Sequence, residues 1–142
     1  MRYYSPQEFL EDTKTLAVMI KEFDPQVLLP IARGGLTFAH YLSELLDIRD
    51  VLCINSISYD GEKKLDTVKV SNIPIIGKKR VLLVDDIADS GDTLKAVLES
   101  IMIKNPDCEI KTATLFYKKT SVIKPDFTIR EATEWIEYFW NR

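Results

Sequence analysis

The sequence predicts an α/β fold: a single domain, residues 1–142, with a mainly parallel central sheet flanked by helices and a small C-terminal hood over about residues 120–142. Three observations carry this. Short apolar runs alternate with segments of helical periodicity, the pattern of strands joined by crossover helices. The runs at residues 27–31 and 80–84 are almost wholly apolar, as expected of buried strands. Each then breaks into a polar, glycine-containing turn just before a new helix, at Ala32-Arg33-Gly34-Gly35 and between Asp85 and Asp92. In such sheets ligands sit beyond the carboxyl ends of the strands, where both turns fall.

The elements follow in order. Ser5-Pro6-Gln7-Glu8 reads as a helix start, with serine as cap, proline in the first turn and glutamate three residues on. Phe9, Leu16, Ile20 and Phe23 recur at helical spacing, with Leu10 and Ala17 beside them, until Asp24-Pro25 ends the helix. After the first strand, Leu36, Ala39, Leu42 and Leu46 mark a second helix, and residues 51–57 a β-branched strand. Residues 58–64 are polar with Gly61, a mobile excursion, and residues 65–79 hold a weaker strand and a turn. Leu94, Val97, Leu98 and Ile101 then form a helix face at i, i+3, i+4 and i+7. Residues 109–117 predict another strand, and the aromatic tail (Phe127, Trp135, Tyr138, Phe139, Trp140) is neither a clean strand nor a clean helix.

Composition narrows the function. The 142 residues are 46% hydrophobic and 29% charged with a net charge of −3, values of a globular chain. No basic run extends beyond Lys78-Lys79-Arg80 or Lys118-Lys119, which argues against a nucleic-acid partner. Cys53 and Cys108 lie in apolar segments without metal-ligand spacing and are expected to be buried, reduced thiols. Met1 to Pro6 lacks a signal-peptide stretch, and no apolar run reaches the ~20 residues that span a bilayer. A cytoplasmic setting with no integral membrane segment is expected. His40 reads as structural, and nothing supports Ser-His-Asp or zinc chemistry.

The most informative segment is residues 81–94. Asp85, Asp86 and Asp89 crowd the end of a buried strand, and Ser90, Gly91, Asp92 and Thr93 follow as a helix begins. Backbone N–H groups at a helix start, joined by two hydroxyls, form a phosphate cradle. Asp85 and Asp86 are placed to accept from ribose hydroxyls or to help hold a hydrated Mg²⁺. The structural alternative is a helix capped by Asp89, Ser90 or Asp92.

This run resembles the phosphoribosyl-pyrophosphate (PRPP) motif of the type I phosphoribosyltransferases: apolar residues, two acids, two variable residues (here Ile87 and Ala88), then Asp-Ser-Gly-x-Thr. The resemblance implies that Asp85 and Asp86 contact the ribose, with Asp86 near Mg²⁺, and that residues 90–93 hold the 5′-phosphate. It implies that Asp89 lies close to N7 of a purine base as the catalytic group. Asp92 departs from expectation as an acid beside a phosphate, tolerable where its side chain faces water. Arg33 and Gly34, in Arg33-Gly34-Gly35-Leu36, resemble the pyrophosphate loop of the bacterial xanthine-guanine members. Residues 58–64 resemble the family's flexible loop, with Lys63 rather than Lys64 as its expected cation. Trp135-Ile136-Glu137 resembles their hood, implying that Trp135 stacks on the base and that backbone at Ile136 reads its C2 group. Lys118, at the end of a predicted strand, can donate to O6 of a 6-oxopurine, although spacing alone reads it as solvent-facing. Phe139 and Trp140 are assigned to packing.

The resemblance therefore implies a purine-salvage enzyme joining a 6-oxopurine to PRPP with Mg²⁺, and a homo-oligomer, dimer or tetramer. Two alternatives stay open: a phosphoribosyltransferase for another base, and a regulatory protein that binds PRPP without catalysis.

Overall fold

The computed structural model describes residues 1–59, 67–77 and 79–141. In chain order the elements are β1 (Arg2–Tyr4), α1 (Pro6–Lys21), β2 (Val27–Ala32), α2 (Gly35–Leu46), β3 (Ile54–Tyr59), β4 (Thr67–Ser71), β5 (Arg80–Ala88), α3 (Asp92–Lys104), β6 (Glu109–Tyr117), β7 (Arg130–Glu131) and β8 (Ile136–Tyr138).

The start of α1 is fixed by its sequence. Ser5 Oγ accepts from the Glu8 N–H at 3.1 Å, and Glu8 Oε2 accepts from the Ser5 N–H at 3.1 Å. This reciprocal cap satisfies two amide donors at the helix end, worth about 1 kcal/mol. Arg2 Nη2 adds a bond of 2.7 Å to Glu8 Oε1. Burial pushes the Glu8 carboxyl upward, but the Ser5 and Arg2 bonds together outweigh it and hold the group below the usual range.

The central sheet has six strands in the order β4-β3-β2-β5-β6-β7. Every neighbouring pair is parallel except β3 with β4. The middle strands are apolar on both faces because both are covered. On one face Leu28, Leu82, Val84, Ala113 and Leu115 pack with Leu16 and Ile20 of α1 and Phe38 and Leu42 of α2. On the other, Leu29, Ile31, Val81 and Leu83 meet Leu94, Val97 and Ile101 of α3. This arrangement is the mainly parallel, helix-flanked sheet that the sequence predicts.

Several expectations are corrected. Strand β3 begins at Ile54, not Val51, which makes only a single bridge to Leu28. Ser58 and Tyr59 belong to β3 rather than to an excursion. Strand β5 runs on to Ala88, so Asp85 and Asp86 lie on a strand and not in a turn. Continued pairing with β6, Asp85 opposite Thr114 and Ala88 opposite Tyr117, keeps the polar stretch extended. Cys53 is exposed and Cys108 half-buried, both as free thiols. Leu10 lies on the outer face of α1. The amino terminus, which the periodicity left blank, forms β1 and pairs in parallel with β8.

Among the described residues, no helix is long and apolar enough to cross a membrane.

Candidate active site

The two motif-bearing turns stand side by side at the carboxyl ends of β2 and β5. Parallel pairing aligns Val27 with Val81 and Pro30 with Val84, so the chain leaves both strands at one edge. A Cβ placed on Gly34 would lie 2.6 Å from Asp86 Oδ2, and one on Gly35 would strike the Val84 carbonyl oxygen. The paired glycines are therefore there for close approach: they let the β2–α2 turn lie against the acids of β5. The Ala32–Arg33 peptide is cis, and Arg33 itself is exposed.

Asp85 and Asp86 are half-buried neighbours, with Asp85 Oδ1 accepting the Asp86 N–H at 2.9 Å. Burial, and then the Asp86 charge, push the Asp85 carboxyl well above its usual range. Asp86 is raised chiefly by burial. Two acids so placed repel each other and are poorly hydrated, an arrangement that a cation or hydroxyl donors relieve. The donor set fits Mg²⁺, which keeps waters and substrate oxygens beside one or two carboxylates. Among the described residues no three potential ligands cluster, so the protein would supply only a small part of such a coordination shell.

Strand β5 ends at Ala88. Asp89, Ser90 and Asp92 are exposed, Thr93 is half-buried and Gly91 is buried. Gly91 takes φ 86° and caps α3, and a Cβ there would run into Ser121 Oγ. Ser90 Oγ accepts the Asp92 N–H at 3.1 Å, and the Ser90 carbonyl accepts from the Val122 N–H at 2.8 Å. Asp92, exposed and not part of the crevice wall, faces water. The crevice enclosed by Asp85, Asp86, Asp89, Ser90, Gly91 and Thr93, with Ile87, Ala88 and Leu94 as its remaining walls, measures ≈ 180 Å³.

Lys118 joins this edge from β6. Its N–H donates to the Ala88 carbonyl at 2.9 Å, and its Nζ meets Asp89 Oδ1 at 2.8 Å. Spacing alone assigned Lys118 to solvent; only the β5–β6 register could have shown that it reaches Asp89. In the tail, Ile136 is buried on β8, whereas Trp135 is 72% exposed. Phe139 and Trp140 pack on the core with Phe9, as assigned. Lys63 lies outside the described residues. His40 is exposed on α2, 3.9 Å from Glu44.

Sequence reasoning missed a junction that ties β1, α1 and β7 together. Tyr4 Oη donates to Asp12 Oδ2 at 2.6 Å, and Arg130 grips the same carboxylate at 2.6 and 3.1 Å. Tyr4, Asp12 and Arg130 are scattered in the sequence, and no local pattern announces their union.

A larger groove of ≈ 910 Å³, lined by Lys14, Lys21, Asp24, Arg49, Asp50 and Lys79 among others, opens at the amino ends of β2 and β5. It holds none of the motif residues, and the crevice at the carboxyl ends is the better candidate despite its smaller size.

The fold is that of a nucleotide-building transferase. Residues 3–141 match the phosphoribosyl transferase domain, and the chain belongs to the phosphoribosyltransferase family. Its structure is similar to that of the xanthine-guanine-hypoxanthine phosphoribosyltransferase of Helicobacter pylori, with 39% identity and a TM-score of 0.90 over 98% of this chain and 92% of that one. It is similar also to a purine phosphoribosyltransferase from Pyrococcus horikoshii, with 30% identity and a TM-score of 0.90 over 99% and 93% of the two chains. In sequence it is 29% identical over 134 residues to the xanthine-guanine phosphoribosyltransferase of Chromohalobacter salexigens, 92% of this chain and 77% of that relative.

Proposed function

We propose that the protein joins a 6-oxopurine (guanine, xanthine or hypoxanthine) to PRPP, giving the nucleoside 5′-monophosphate and pyrophosphate. The observation that carries this reading is the Lys118–Asp89 pair at the rim of the acid crevice, 2.8 Å apart. An ammonium beside a carboxylate presents a donor and an acceptor to one edge of a base. That matches the O6 acceptor and the N7–H of a 6-oxopurine. Adenine would set its own amino donor against the lysine, and sites built on such bonds discriminate strongly.

In the proposed mechanism Ser90, Gly91, Asp92 and Thr93 hold the 5′-phosphate at the start of α3. Asp85 and Asp86 accept from the ribose hydroxyls. Arg33, exposed beside Gly34, takes the pyrophosphate, with Lys63 as the second cation. A purine ring nitrogen bonds to C1′ as the bond from C1′ to the pyrophosphate oxygen breaks, and the base proton passes to Asp89. Asp86, with Asp85 beside it, would hold Mg²⁺, which would supply positive charge against the departing pyrophosphate oxygens. Trp135 offers its exposed ring to the base, and backbone at Ile136 reads C2. The whole chain acts as one domain with residues 120–142 as the hood. A homo-oligomer belongs to this reading too, supported by Leu36, Leu45, Leu52 and Ile57, apolar side chains exposed on α2, β3 and the loop between.

The test is nucleotide formation from PRPP and Mg²⁺ with guanine, xanthine, hypoxanthine, adenine and uracil offered separately. Turnover with the 6-oxopurines alone is expected. Turnover with adenine or uracil instead would overturn the base assignment, and PRPP binding without turnover on any base would mark the regulatory alternative.

A further inference from the structure

Strand β8 sends two side chains inward, Ile136 and Tyr138, each 5% exposed. Tyr138 is enclosed by aromatic rings. It stacks on Trp140 with centroids 4.6 Å apart and meets Tyr4 and Phe116 edge-on, each at 5.9 Å. Among the described residues, its hydroxyl is the one buried side-chain polar atom with no hydrogen-bond partner. Its ladder neighbour Tyr4 shows the contrast, because that equally buried hydroxyl is bonded to Asp12. An unpaired buried hydroxyl costs free energy, and phenylalanine would fill the same space without that cost. A tyrosine kept there points to a bond made in another state of the protein.

The acceptor can be traced. Asp86 lies on β5 between Val84, which shares a core cluster with Tyr138, and Ile87. Ile87 packs against the same cluster, and its register partner is Phe116, which touches the Tyr138 ring. Consistent with this, burial and then the charges of Asp86, Asp85, Tyr4 and Asp89, in that order, push the Tyr138 phenol far above its usual range. It is therefore a neutral donor in the field of carboxylates.

We propose that Tyr138 is a positioning residue whose hydroxyl donates to the Asp86 carboxylate when the crevice is loaded with PRPP and its cation. It thereby links the hood, through the strand that follows Trp135, to the acid pair. The inference rests on the proposed function for the identity of the ligand. In the free protein the bond is unmade. Seating the ligand draws Asp86 into a fixed orientation, and the buried hydroxyl then finds its acceptor.

The experiment compares wild type with Tyr138→Phe by thermal unfolding of the free protein and by calorimetric titration with PRPP and Mg²⁺, followed by kcat and KM. The expected result is an unfolding midpoint equal to or above that of wild type, since no bond is lost. PRPP affinity should fall about 10- to 100-fold, the range of one hydrogen bond to a charged group. A lowered midpoint would show that the hydroxyl is already bonded in the free protein and would overturn the proposal. Unchanged PRPP affinity would overturn it equally. The titration reads the inference without turnover: a wild type that binds PRPP but makes no nucleotide overturns the proposed enzyme alone, whereas one that binds no PRPP overturns both.

Discussion

Asp85 sits beside Asp86 with its Oδ1 on the neighbouring N–H, and burial together with the second charge raises its pKa. A carboxyl whose folded-state pKa lies above its unfolded value binds more protons when folded. Its cost to stability is absent below the ordinary carboxylate range, grows as pH rises through it, and is complete above the raised folded value. Asp85→Asn keeps the 2.9 Å acceptor and removes the charge. The variant is therefore expected to unfold at a higher temperature than wild type at neutral pH, with the gap closing on acidification, while its PRPP affinity falls at least about tenfold. Melting curves across pH and a PRPP titration check both halves. A variant less stable than wild type at neutral pH would show that the pair is not strained. This residue pair was legible in the sequence, because two adjacent acids at a strand end need only local spacing to be noticed. Tyr138 was not, because nothing local distinguishes a tyrosine that lacks a partner from the other aromatics of the tail.

Among the elements, the β2–α2 turn shows how backbone makes room for chemistry. Gly35 lies against the Val84 carbonyl of β5, and the neighbouring Gly34 against the Asp86 carboxylate. Backbone cannot step aside as a flexible side chain can. Gly35→Ala is therefore expected to destabilise the fold by about 1–3 kcal/mol, the cost of overpacking, and to push the turn away from β5. Urea unfolding measures it, and an unchanged midpoint would mean that the contact relaxes freely. The sequence read this turn by resemblance as a pyrophosphate loop, and its approach to β5 was not legible, since Val84 lies 49 residues on from Gly35. The same limit explains the end of β5. A run of acids and small polar residues reads locally as a turn, and only pairing with β6 as far as Ala88 opposite Tyr117 keeps it a strand. The periodicity of α1 and α3 and the cap of α1 were legible because helices satisfy their hydrogen bonds internally.

For the whole molecule, the parallel sheet decides the outcome by bringing the motif-bearing turns to one edge. The motifs at residues 32–35 and 85–93 and the strand end at Lys118 are far apart in the chain, yet topology sets them side by side. Fold class was legible from alternation alone, and the phosphoribosyltransferase family from one motif. The Asp89–Lys118 pair and the β1–β8 sheet were not, for both depend on register between distant segments. The central claim is that this crevice performs the transfer, with Asp89 acting on the base proton. Its most direct test is kcat for nucleotide formation, measured with the dissociation constants of PRPP and base, in wild type and Asp89→Ala. The account predicts an active wild type and a variant whose turnover falls about 10²-fold or more while ligand affinity changes far less. Equal losses of turnover and affinity would reduce Asp89 to a binding group and contradict the account.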